Sequence, residues 1–125
     1  VVNVNVSRST PSNNAVAMNG SSTYLEIPYS TYTSFGTSSF SVEFWVRLNS
    51  VSQLTYLAYN RSATNEGWDI YVDQQGFVGF SAKDDNGDTI NGLGNITPIN
   101  DATWHHVAVT VGKGTSRAYT SIIVR

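Results

Sequence analysis

Apolar side chains recur at every second position along most of this chain, the spacing that sends alternate residues to opposite faces of a pleated strand. Val2, Val4 and Val6 alternate with Asn3 and Asn5. Ala15–Met18 reads as a short strand stopped at Asn19-Gly20. Tyr24–Ile27 puts Leu25 and Ile27 on one face, and Pro28 ends it. The clearest alternation runs through Ser41–Leu48, with Val42, Phe44, Val46 and Leu48 on one face and Glu43, Trp45 and Arg47 on the other. Leu54–Tyr59 is the next strand, and a single helical turn near Asn49–Gln53 is also compatible with the pattern there. Trp68–Asp73 sets Trp68, Ile70 and Val72 against Asp69, Tyr71 and Asp73. Gln74-Gln75-Gly76 turns the chain into Phe77–Lys83. Asn86-Gly87 predicts a hairpin with positive φ at both central positions, leading into Thr89–Ile96. His105–Val111 and Arg117–Val124 follow, joined by Gly112-Lys113-Gly114.

About nine or ten strands at roughly 8–12-residue spacing, with no amphipathic helix, predict an all-β antiparallel sandwich. At 125 residues the whole span 1–125 is one domain. The composition agrees. Apolar residues make up 40% and charged residues only 13%, while 16 Ser, 13 Thr and 12 Asn supply the polarity. Fifteen aromatic residues give ample surface to bury, which argues against disorder. A net charge of −2 gives no electrostatic reason to expect nucleic acid or an acidic membrane as partner. No apolar run reaches the roughly 20 residues of a membrane span. With no Cys, disulfides, thiol catalysis and the common zinc knuckles are excluded. The start at Val1 suggests a processed product or an excised piece. The uncharged polar composition fits an extracellular or surface protein, whether secreted, in a cell envelope or on a virion.

Three segments in order, AVAMNGSSTYLEIPYS at 15–30, FSVEFWVRLNS at 40–50 and ATWHHVAVTVGKG at 102–114, resemble the laminin G-like branch of the concanavalin A-like lectin/glucanase superfamily. The likeness covers about residues 15–117. It implies a jelly roll of two packed antiparallel sheets. It also departs at the end, because SRAYTSIIVR lacks the Asp-Gly turn usual in that family. An uncovered edge exposes unpaired backbone groups, so Val1–Val6, or a strand from a neighbouring chain or a homo-oligomer partner, is expected to complete the sandwich.

Candidate chemistry is sparse. The Glu-x-Asp-x-x-Glu strand of the superfamily's glucanases is absent. Asp69 and Asp73 lie about 13 Å apart along one strand, too far for a retaining pair, and are expected to face solvent. His105 and His106, adjacent on a strand, point to opposite faces and do not share a metal; few acids lie near them in sequence. Glu43, Trp45 and Arg47 form a row in which an aromatic ring flanked by charges suits a sugar, with burial under a loop or second chain as the alternative. Asp69, Tyr71 and Asp73 offer a similar row. Asp84, Asp85 and Asp88 crowd hard oxygen ligands around Asn86-Gly87. A plain turn explains them, and calcium is the alternative that the resemblance suggests. Asn-x-Ser/Thr at Asn5, Asn19, Asn60 and Asn95 matters only in a eukaryotic secretory route. The sum is a non-catalytic module that binds carbohydrate or a surface protein. The alternative is a structural or attachment subunit of an extracellular assembly that exchanges strands at open edges.

Overall fold

The computed structural model describes residues 15–27, 36, 38–94, 97–113 and 118–125. Seven strands are found there: β1 (Phe40–Arg47), β2 (Thr55–Arg61), β3 (Gly67–Val72), β4 (Val78–Lys83), β5 (Thr89–Leu93), β6 (Trp104–Lys113) and β7 (Ala118–Val124). They form a three-stranded sheet ordered β1-β6-β7 and a four-stranded sheet ordered β2-β3-β4-β5. Every pairing is antiparallel. The all-β sandwich predicted by the alternation is therefore the architecture observed, and residues 49–53 form no helical turn.

The core fills the space between the sheets. Val107, Val109 and Val111 of β6 meet Ile70 and Val72 of β3 and Val78 and Phe80 of β4, all at most 1% exposed. Phe40, Val42, Phe44 and Val46 of β1 pack against this cluster from the edge and stay partly buried. Ile99 seals one end from the loop before β6, its N–H bonded to the Gly76 carbonyl at 2.9 Å. Truncating Phe80 to Ala would cost about 3–5 kcal/mol, since its ring is fully buried between the sheets.

The four-stranded sheet is a meander whose three hairpins repeat one turn every eleven residues, at Ser62, Asp73 and Asp84. In each, the first residue's N–H reaches the carbonyl four residues on: Ser62 to Glu66 at 2.8 Å, Asp73 to Phe77 at 3.0 Å and Asp84 to Asp88 at 3.0 Å. Its side-chain oxygen accepts two backbone N–H groups of the turn: Thr64 and Glu66, Gln75 and Phe77, or Asn86 and Asp88. The fourth residue takes positive φ: Asn65 at 70°, Gly76 at 92° and Gly87 at 90°. This corrects the expectation for Asn86-Gly87. Only Gly87 has positive φ, because the Asp84 carboxylate stabilises a longer loop than the two-residue hairpin.

Two predicted strands are not formed. Ala15–Met18 and Tyr24–Ile27 are exposed and carry no strand, with Val16, Tyr24 and Ile27 at least 65% exposed. Alternation supplies a face for a strand, but a ladder also needs a neighbour, and neither segment has one among the described residues. Between them the Asn19 carboxamide oxygen accepts the N–H groups of Ser21, Ser22 and Thr23, so a side chain organises that turn. The expectation for Val1–Val6 lies outside the described residues.

Candidate functional site

Each sheet turns one face to the core and one outward. On the three-stranded sheet the outward rows run Glu43, Ala108, Ile123, then Trp45, His106, Arg125, then Arg47, Trp104. Trp45 is 65% exposed, so loop cover does not account for it. Its ring lies 5.2 Å from that of His106, whose Nε2 is 3.6 Å from Glu43 Oε2. Arg47 sits 5.8 Å over the ring of Trp104. The predicted row of Glu43, Trp45 and Arg47 is thus on one face, joined by Trp104 and His106.

His105 and His106 do point to opposite faces. His105 is 8% exposed beneath the three-stranded sheet, and its Nε2 lies 3.0 Å from Asp101 Oδ1 and 3.0 Å from Thr103 Oγ1. The Asp101 carboxyl is lowered from the usual 3.8 to about 2 by the His105 contact and then by the Thr103 N–H and hydroxyl. Few acids were expected beside the two histidines, yet each has one, because the strand pairing brings Glu43 to His106 and a tight loop brings Asp101 to His105.

The four-stranded sheet is different. Its outward face holds a trough of about 340 Å³ lined by Tyr56, Tyr71, Arg61, Ser81, Lys83 and Asn91, with Leu54, Asn65, Asp69 and Thr89 completing it. A bulge between Tyr56 and Ala58 inserts Leu57 as an extra residue. Leu57 and Ala58 then both turn to the core, and Tyr56 and Tyr59 both face outward with rings 5.2 Å apart. Strict alternation would have put these tyrosines on opposite faces. The ring of Tyr71 lies across β4 over Gly79, where a Cβ would come within 2.6 Å of its Cζ, Cε2 and hydroxyl oxygen, so glycine lets the tyrosine lie flat. Burial raises the Tyr71 phenol above its usual 10.0, with Asp69, Asp73 and Tyr56 adding to the rise.

At the floor, Asp69 is 4% exposed, and its carboxylate accepts the Arg61 Nε–H in an ion pair. Arg61 also donates to the Asn65 carbonyl at 2.9 Å and to Ser81 Oγ at 2.7 Å. The expectation that Asp69 faces solvent is therefore corrected: cross-strand Arg61 and Ser81 cover it, and a buried carboxylate requires such partners. Asp73 stands at the turn, its Oδ1 accepting two backbone N–H groups. Asp69 and Tyr71 line the trough, while Asp73 caps its neighbouring hairpin. Arg61, Tyr56, Ser81, Lys83 and Asn91 were not singled out from sequence. The β2-β3-β4-β5 order brings them together, and phase within the strand gave forewarning on β4 and β5 but not for Tyr56, where the bulge breaks it.

Asp84 Oδ1 is occupied by the N–H groups of Asn86 and Asp88. Among the described residues no three His, Asp or Glu side chains gather as a metal site, and the hydrogen bonds that Asp84 accepts are those of a turn.

Among curated proteins the chain is similar to the non-toxic nonhemagglutinin type E of Clostridium botulinum, 25% identical over 101 residues. It is also similar to the type A protein of strain Kyoto / Type A2, 26% identical over 99 residues. The matches span 81% and 79% of this chain but 8% of each relative. Among solved structures, the binding domain of Paraclostridial Mosquitocidal Protein 1 aligns with a TM-score of 0.56 and 22% identity, over 70% of this chain and 24% of that one, a likeness of fold. Residues 19–120 match the laminin G-like family model of the concanavalin A-like lectin/glucanases superfamily, and the chain belongs to that superfamily.

Proposed function

We propose that this domain is a non-catalytic saccharide-binding module whose ligand lies in the trough of the four-stranded sheet. The observation that carries the reading is Tyr71, laid flat over Gly79 beside hydrogen-bonding groups on three neighbouring strands. A sugar ring offers C–H groups to an aromatic face and hydroxyls to polar neighbours, and Ser81, Asn91 and Lys83 stand where such hydroxyls would fall. The Arg61–Asp69 pair fixes the floor in advance, so little ordering remains to oppose binding.

Catalysis finds no support in the same residues. A retaining glycosidase places two carboxyls about 5–5.5 Å apart. Asp69 is held by Arg61 and Asp73 by its turn, and four residues of strand put about 13 Å between them. Similarity to part of two non-toxic nonhemagglutinins, and in fold to a binding domain, supports a recognition role in an extracellular or surface protein.

The test is a glycan array read with wild-type protein and with Tyr71→Ala. Binding by the first and a loss of tenfold or more in the second supports the reading, and an array with no binding overturns it. Repeating the array with calcium and with a chelator tests whether binding needs an ion, for which the Asp84–Asp88 turn is the candidate.

A further inference from the structure

The outward face of the three-stranded sheet lies on the opposite side of the sandwich from the trough, and nothing in the saccharide reading uses it. It carries two tryptophans, Trp45 at 65% and Trp104 at 49% exposure, with Ile123 at 45% beside them. Exposed tryptophan next to arginine is the composition of an interface centre, not of an idle surface. These side chains are already ordered by each other, Trp45 against His106 and Arg47 over Trp104, so docking would cost them little rotamer freedom.

The charge pattern selects the occupant. Glu43 and Arg47 flank Trp45 on the same face of β1, each about 7 Å away along the strand. We infer that this face packs on the same face of a second copy, about a two-fold axis that lies in the interface and crosses β1 at Trp45. That rotation sets β1 antiparallel on the partner copy's β1. Each Glu43 then meets an Arg47, and the two Trp45 rings meet at the axis. The row of Glu43, Ala108 and Ile123 falls on the row of Arg47 and Trp104, so each Trp104 lies over an alanine, the small side chain that leaves room for an indole. The same rotation sets His106 on His106 and Arg125 on Arg125, a like-charge contact at the end of the axis row that weakens the pair, so the complementarity an isologous contact requires comes from Glu43 with Arg47 and Trp104 with Ala108. Three strands about 4.8 Å apart and eight residues long at about 3.3 Å each give a face of roughly 400 Å². Stable interfaces need about 800 Å² per partner. The pair is accordingly transient, with a dissociation constant that is micromolar or weaker.

Sedimentation velocity over a concentration series at neutral pH and low salt tests this. Wild-type protein should move from monomer toward dimer as concentration rises, less so as salt screens the charge pairs. Glu43→Arg and Arg47→Glu, each alone, should raise the dissociation constant tenfold or more, because each puts like charges in register. Mixed in equal amounts, the two variants should associate again, since every cross-pair is then opposite in charge. Both positions are exposed, and a circular dichroism spectrum confirms that each variant is folded. A monomer at every concentration, or a mixture no more associated than either variant alone, would overturn the inference and leave the face to a different partner.

Discussion

The two outward faces of this sandwich start from the same pleat and end with opposite characters. On β1 and β6 alternation is unbroken, so every second side chain projects and Trp45 and Trp104 stand as a ridge. On the four-stranded sheet a bulge at Leu57 and glycines at 67 and 79 remove side chains from the pattern, and the gap becomes a trough with an ion pair at its base. Backbone irregularity and missing Cβ atoms, more than hydrophobicity, decide which surface is hollow and which is raised.

That contrast can be broken by experiment. Arg61→Met strands the buried Asp69 carboxylate and should cost about 3–5 kcal/mol, a large share of the 5–15 kcal/mol typical of a domain. Urea denaturation would measure it, and Arg61→Met with Asp69→Leu should recover most of the loss. If the single variant is as stable as wild type, the trough has no fixed floor. Gly79→Val drives a side chain into the Tyr71 ring, and saccharide affinity should fall about tenfold, equal to 1.4 kcal/mol, by titration. On the ridge, Trp45→Ala should change unfolding free energy by no more than about 0.5 kcal/mol. An unfolded variant would show that the ring belongs to the core.

The smallest effect concerns the loop before β6. The Asp101 carboxyl is lowered from 3.8 to about 2, so its contribution is present above pH 4 and fades as acid carries the protein down toward pH 2. Asp101→Asn should flatten stability across that window, as followed by circular dichroism, by lowering it at neutral pH by the contribution that wild type loses in acid. Retained acid sensitivity in the variant would assign it to other carboxyls.

Much of the fold was legible because alternation is a local property. The seven observed strands lie within a few residues of those expected, and Glu43, Trp45 and Arg47 share a face as the spacing required. The site was legible only in pieces. Asp69 and Tyr71 could be placed on one face of β3, but Arg61 and Ser81 reach them from other strands, and strand order is not written in any single segment. The bulge at Leu57 hid Tyr56 and Tyr59 for the same reason, since one inserted residue inverts the phase on which such a reading depends. At Ala15–Met18 the alternation was sound, and what was missing was a neighbour.

The turn that recurs at Ser62, Asp73 and Asp84 bears on the order of assembly. Each hairpin of the four-stranded sheet closes over a handful of residues and carries its own side-chain clasp, so that half of the molecule can form from near-neighbour contacts alone. In the other sheet β6 and β7 also pair locally, but β1 must wait for Phe40 to find Val111, seventy-one positions away, a search whose entropic toll grows with the length of the loop. A meander that zips early would then serve as the template on which the last three strands condense.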